Sequence, residues 1–283
     1  MSTSDPFVGL DDAPEFSPHE SLLQNLDAGR RGWFPLRKVF VQRPKGSAAQ
    51  SGRPSARASV LSDLVRARKP LALDMFLLVH ALQPVLGGSP ISLPTWARLL
   101  SAHQPCDTRG ASRAIDALAD MRLLVREGSA RLPELRLLKE DGTGDPWTKA
   151  GSASEEGPGY FVVPHAYWED GYYTSLTVPG KAMFLLSLAE TQDPRTPAFS
   201  VAYERMMEWY GISERTAERG FRELDSRAGV LLKHVRKVPD RRHPAGRREE
   251  TWRALEQPFS TQWRAHLQAE SASAVRGMGG GAS

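Results

Sequence analysis

Two arginines four residues apart, Arg215 and Arg219, stand in a segment whose apolar residues Ala217, Phe221, Leu224 and Ala228 recur at helical spacing. On such a helix the two guanidinium groups share a face away from the apolar stripe. A guanidinium donates two parallel hydrogen bonds to a guanine edge or to a phosphate. Thr216 beside them suits a thymine methyl or a phosphate oxygen, and Arg222 adds a further cation. Downstream, from Lys233 to Arg248, the positive residues are Lys233, Arg236, Lys237, Arg241, Arg242, Arg247 and Arg248, and Asp240 is the one acid. His234 and His243 add partial charge at most. Like charges at this density repel one another unless an anion neutralises them. The chemistry that fits is base reading by the helix and phosphate neutralisation by the basic stretch, with double-stranded DNA as the partner.

A plainer account keeps these arginines on a solvated helix face, paired with Glu214, Glu218 and Glu223. The basic stretch that follows weighs against it. Enzymatic accounts find little support. The chain has no Gly-x-x-x-x-Gly-Lys-Ser/Thr loop, no Gly-x-Ser-x-Gly elbow, no His-x-His pair and no His-Glu-x-x-His. Tyr172-Tyr173 lacks the histidine pair of a nicking nucleophile and suits an aromatic corner. The expectation is a protein that is not an enzyme, with no catalytic residue, cofactor or metal site and no small-molecule ligand inferred.

The elements that must position these residues can be read outward from them. Ser200 to Tyr210 reads as one helix, Gly211-Ile212-Ser213 as a tight turn, and Glu214 to Arg227 as a second helix stopped by Ala228-Gly229. Val230 to Val238 and Thr251 to Leu255 read as the two strands of a hairpin, with Pro239, Pro244 and Gly246 keeping its tip out of the ladder. Helix, three-residue turn, helix and basic hairpin is the order of a winged helix-turn-helix, whose second helix enters the major groove.

A second copy is predicted upstream. Leu71 to Leu86 has helical periodicity, Ser92 caps a helix with Pro94 in its first turn, and Asp107 caps a third from Thr108 to about Leu123. Leu123 to Arg126 and Leu135 to Lys139 read as its hairpin. A shift of 106 residues places Asp107 on Ser213, Arg109 on Arg215, Ala111 on Ala217, Arg113 on Arg219, Ile115 on Phe221 and Leu118 on Leu224. Arg109 and Arg113 therefore join the candidate DNA contacts. The charges at the first hairpin tip nearly balance, so this unit is equally a candidate for dimerisation.

The whole chain, 283 residues with a net charge of +4 and a pI near 9.3, allows two modest domains and tails. Residues 1–27 are acidic without Lys or Arg, and the stretch that follows to Lys69 is strongly basic. The predicted organisation is a disordered arm over 1–69 with a short docking segment at Trp33–Gln42 and a mobile linker at 46–59, a winged helix over 70–142, a linker over 143–160, a second winged helix over 161–258, and a short helix with a disordered tail over 259–283. The fold class is mainly α with small β-wings, that is α+β. The single Cys106 excludes an intramolecular disulfide and suits a reducing cytoplasm. No signal peptide is read at the start, and no apolar run approaches the ~20 residues of a membrane span. A cytoplasmic, nucleoid-associated protein with no membrane partner is expected.

The run Gly211-Ile212-Ser213-Glu214-Arg215-Thr216-Ala217-Glu218-Arg219-Gly220-Phe221-Arg222-Glu223-Leu224 resembles the helix-turn-helix core of actinobacterial regulators. With both units placed, the chain resembles the tandem winged-helix proteins of bacterial mobile elements, over roughly Leu71 to Glu140 and Phe161 to Glu256. That resemblance implies a transcriptional regulator of a plasmid, phage or other mobile element. The runner-up it implies is a plasmid replication initiator, in which both modules can contact repeated origin sites. A third reading, from a different class, is a non-enzymatic adaptor whose winged helices contact other proteins.

Overall fold

The computed structural model describes residues 16–29, 31–86, 89–101, 105–151, 158–242 and 244–279. The fold is α+β, with more helix than strand and three small antiparallel sheets among the described residues.

The N-terminal part is built into the core. Helix α1 (Pro18–Ala28) opens on a capping box, in which Ser17 Oγ accepts from the Glu20 N–H and the Glu20 carboxylate accepts from the Ser17 N–H. Leu22 and Leu26, one turn apart, bury its inner face. Strand β1 (Trp33–Arg37) carries Phe34 and Leu36 inward and is followed by the buried Phe40 and Val41. A short helix α2 (Val60–Arg66) then buries Val60, Leu61 and Leu64. The expectation of a disordered arm is therefore corrected for residues 16–29 and 31–69; residues 1–15 and 30 lie outside the described residues. Trp33 to Gln42 docks through Phe34, Leu36, Phe40 and Val41, while charge had hidden the apolar spacing of α1 and α2.

Helices α3 (Pro70–Leu86), α4 (Leu93–Leu100) and α5 (Thr108–Asp120) and the hairpin β2 (Leu124–Gly128)–β3 (Pro133–Leu137) follow in the order expected for the first unit. Helix α3 ends at Leu86 as expected and carries Pro84 inside its last turn. The presumed linker is also part of the body where it is described. Arg37 donates to Thr148 O and Oγ1, both at 2.8 Å, and forms a buried ion pair with Glu140 at 2.8 Å. Strand β4 (Tyr160–Pro164) pairs antiparallel with β1, from Trp33 opposite Pro164 to Arg37 opposite Tyr160.

The short helices α6 (Ala166–Glu169) and α7 (Tyr172–Ser175) form the expected aromatic corner. Tyr167 and Trp168 are buried, and Tyr167 stacks on Phe184 of α8 (Val178–Glu190) at 5.4 Å. Strand β5 (Phe199–Ser200), a 3-10 turn at Tyr203–Arg205 and α9 (Met206–Tyr210) occupy the span expected as a single helix. The single helix is broken because Phe199 and Ser200 extend to pair with Arg253 and Trp252. Then come α10 (Glu214–Arg222), a π turn at Glu223–Arg227, the hairpin β6 (Leu231–Pro239)–β7 (Arg247–Leu255), and α11 (Thr261–Gly279). Helix α11 runs to Gly279, well into the span expected as a short helix and disordered tail; residues 280–283 lie outside the described residues.

Both units share one apolar cluster. Lys181 of α8 reaches both Asp74 carboxylate oxygens of α3 at 2.6 Å. At the end of α8, the fully buried Arg264 donates to Leu188 O and Thr191 O, both at 2.8 Å. That guanidinium satisfies carbonyls that a helix C-terminus leaves open, while burial lowers its pKa to about 10.

His80 is buried among Phe34, Phe76 and Trp147. Burial, with a smaller push from the Arg37 charge, lowers its pKa to about 3. An unfolded histidine takes up its proton near pH ~6.5, so between that pH and about 3 the unfolded chain binds the extra proton. Stability from this residue is full above pH ~6.5 and drains away as pH falls. The expected loss is about 3 kcal/mol between pH ~6.5 and ~4. Burial raises the Asp74 and Glu140 carboxyls, an opposite contribution, so the check is a difference. Urea unfolding of wild type and His80→Phe across this range should show the variant losing less stability on acidification. Parallel curves would mean that His80 is protonated in the folded protein.

Candidate nucleic-acid interface

The turn before α10 is fixed by its residue types. Gly211 ends α9 at φ +69°, and a Cβ there would stand 2.5 Å from Ala58 Cβ. Only glycine combines that backbone with that approach. Ser213 then caps α10, accepting from the Thr216 N–H at 3.3 Å and sharing a hydrogen bond with Thr216 Oγ1 at 2.7 Å. Asp107 does the same for α5 through the Gly110 N–H. The 106-residue correspondence extends to burial: Ala111 and Ala217, Ile115 and Phe221, and Leu118 and Leu224 all face the core, and the paired arginines are all exposed.

The inner face of α10 packs on α8, and its closest approach is at Gly220. A Cβ there would lie 2.3 Å from Pro179 O. Glu223, one turn on, accepts from both Thr177 N at 3.0 Å and Thr177 Oγ1 at 2.6 Å, at the start of α8. Neither role had been read from the sequence. The available signal was position: Gly220 and Glu223 lie three and six residues beyond Ala217, along the edge of its stripe.

Outward, α10 presents Arg215, Arg219 and Arg222. Arg219 Nε reaches Glu223 at 3.1 Å and Arg222 reaches Glu218 at 2.8 Å, each one turn away. Arg215 has no ion pair among the described residues, nor have Arg109 and Arg113 on α5. Exposed pairs of this type contribute about 0–1 kcal/mol, so a phosphate or a base can take either arginine from its carboxylate. Thr216 is partly occupied by the cap.

The hairpin β6–β7 runs in register from Leu231 opposite Leu255 to Pro239 opposite Arg247. Only its base is anchored, by Leu231, Leu255 and Arg253. Arg253 lies under the rings of Phe221 and Tyr203, at 4.4 and 5.2 Å. Beyond Leu231, the residues of β6 from Leu232 to Lys237 are exposed. The connecting tip is shorter than expected, residues 240–246, and Arg247 and Arg248 belong to β7 rather than to a loop. Asp240 holds the tip by donating its N–H to Gly246 O and accepting from the Arg242 N–H. His243 lies outside the described residues.

Register also changes the charge pattern. Glu250 stands opposite Arg236 and Glu249 opposite Lys237. Arg248 pairs with Glu250 at 2.5 Å and approaches Asp240 at 4.0 Å, and Lys233 pairs with Asp225 at 2.5 Å. The segment from Leu231 to Leu255 holds eight positive residues against three acids. Arg236, Lys237, Arg241, Arg242 and Arg247 have no ion pair among the described residues.

The first hairpin is different. Arg126 is tied to Asp116 at 2.7 Å and Arg136 to Glu127 at 2.5 Å. The basic stretch before α2 is held too: Arg53 and Arg66 share Asp63, and Arg43 donates to Ala48 O at 2.8 Å. Arg57 and Arg205 flank the Trp209 ring of α9, each at 5.8 Å.

No protein-family model, curated protein or solved structure matches the chain. Its function is therefore argued from this geometry. No helix among the described residues is long and apolar enough to cross a membrane.

Proposed function

We propose that the chain is a double-stranded DNA-binding protein with two winged helix-turn-helix units, of which the second supplies most of the grip. The observation that carries this reading is the set of exposed cations, Arg215, Arg236, Lys237, Arg241, Arg242 and Arg247, that have no ion pair among the described residues. They stand at the start of α10 and along a hairpin anchored only at its base. The element order of the second unit and its strand order β5-β7-β6 support a wing beside a recognition helix. In this reading Arg215 and Arg219 reach base edges, Arg222 and Thr216 lie at the groove margin, and the hairpin cations Lys233, Arg236, Lys237, Arg241, Arg242, Arg247 and Arg248 lie along phosphates.

The role we assign is transcriptional regulation of a bacterial mobile element. The repeated helix-and-hairpin unit favours a second reading, a replication initiator that places both units on origin repeats, with Arg109 and Arg113 as the second set of contacts. Footprinting separates them: a short palindrome marks a regulator and a run of direct repeats an initiator. Failure to bind any duplex would leave the adaptor reading.

Base contact has its own measurement. Arg215→Ala should weaken the specific site by about 1–3 kcal/mol and leave random duplex nearly unaffected. Arg219→Ala should do likewise, although it also frees Glu223. Equal losses on both duplexes would reassign these residues to phosphates.

A further inference from the structure

A cavity of about 170 Å³ opens between the C-terminal end of α3, strand β1 and residues 147–149. Trp33, Phe34 and Trp147 contribute aromatic walls, and Arg31 and Lys149 are the two cations lining it. No Asp or Glu lines it, and neither cation has an ion pair among the described residues.

Two polar atoms of its lining residues lack partners. His80 Nε2 and Trp147 Nε1 are buried without a hydrogen-bond partner among the described residues, and both residues line the cavity. Most buried polar groups are satisfied, so two together at one cavity call for a cause. Pro84, also at this cavity, has no N–H to give the His80 carbonyl four residues back. Burial keeps His80 neutral, so its ring offers one donor and one acceptor.

These features select a ligand chemistry. Two cations with no nearby acid call for an anion. Aromatic walls call for a planar, polarisable body, since rings pack face to edge or offset. Ligand sites for drug-sized molecules span about 300–1,000 Å³, so this cavity takes a single ring. An inorganic anion would leave the aromatic walls unused. We propose that the cavity binds a small aromatic carboxylate, its charge toward Arg31 and Lys149 and a polar ring substituent toward Trp147 Nε1 and His80 Nε2. The sequence had shown no sign of such a ligand because its parts come from three segments far apart in the chain. The proposal does not depend on DNA binding.

Equilibrium dialysis of the full chain against 4-hydroxybenzoate tests it, with 4-hydroxybenzyl alcohol as the uncharged control. The expected result is one site per chain with Kd of about 1 mM or tighter, and at least tenfold weaker binding of the alcohol. Arg31→Gln with Lys149→Gln should weaken 4-hydroxybenzoate at least tenfold. Trp147→Phe keeps the ring, removes the N–H and should weaken it severalfold. Should Trp147→Phe fail to fold, the double variant still decides, because Lys149 is exposed and Arg31 is only partly buried. Absence of saturation by ~10 mM would overturn the proposal, as would equal affinity for the alcohol or unchanged affinity in the double variant.

Discussion

Replacing Lys237, Arg241, Arg242 and Arg247 together with Ala is expected to make the salt dependence of duplex binding shallower by about 2–4 units of log affinity per log salt. Each phosphate neutralised on duplex DNA releases counterions worth a slope of about 0.9, and most of these four should lie on phosphates. At ~0.15 M salt the affinity should fall on the order of a hundredfold, for specific and random duplexes alike. These four are chosen because they have no ion pair among the described residues and lie beyond the anchored base of the hairpin. Arg248 is left in place because Glu250 and Asp240 already engage it. The fold should survive, since all four are exposed and such changes usually alter stability by about 0.5 kcal/mol each. The preference set by Arg215 should remain. The measurement is the salt slope of wild type and variant on one duplex. An unchanged slope would take the hairpin off DNA and favour an acidic protein surface as its partner.

What was legible in the sequence was local. Ser213 and Asp107 as caps, Gly211 as the turn and the apolar stripes of α5 and α10 all depend on residues within a few positions of one another. Each is where it was expected. What was missed depends on distant partners. Strand β1 pairs with β4 more than a hundred residues later, and no local signal announces that. The start of β7 at Arg247 follows from nine residue pairs of cross-strand register, which place Glu249 and Glu250 beside the hairpin cations. One miss had a local signal. Ser17 and Glu20, followed by Leu22 and Leu26, spell a capped amphipathic helix, but the net charge of the flanking sequence pointed to an arm. The candidate cations could be named from the sequence, whereas which of them already hold carboxylates could not. That depends on side chains one helical turn away or across a ladder.

Gly220→Ala is expected to destabilise the protein, although its helix propensity argues the opposite. In an exposed helix interior this substitution gains up to about 1 kcal/mol, because alanine loses less backbone freedom. Here the new Cβ would lie 2.3 Å from Pro179 O and 2.5 Å from Met183 Cγ. The first neighbour is backbone, so relief requires α10 and α8 to move apart. Overpacking of a core costs about 1–3 kcal/mol and sometimes more, and a clash with backbone belongs at the upper end. We expect a net loss of about 2 kcal/mol or more. Gly180→Ala should cost less, because its Cβ meets side-chain atoms rather than backbone, Glu223 Oε2 at 2.5 Å and Leu176 Cδ2 at 3.0 Å, although moving Glu223 gives up its bonds to Thr177. Urea unfolding of the two variants and wild type measures this as a shift of midpoint at constant slope. The Gly220 variant should also bind DNA more weakly under conditions where it is still folded, since separating the helices displaces the face that carries Arg215 and Arg219. A Gly220→Ala protein as stable as wild type, or more stable, would mean that α10 does not rest on the first turn of α8. The positioning of α10 would then need a different support.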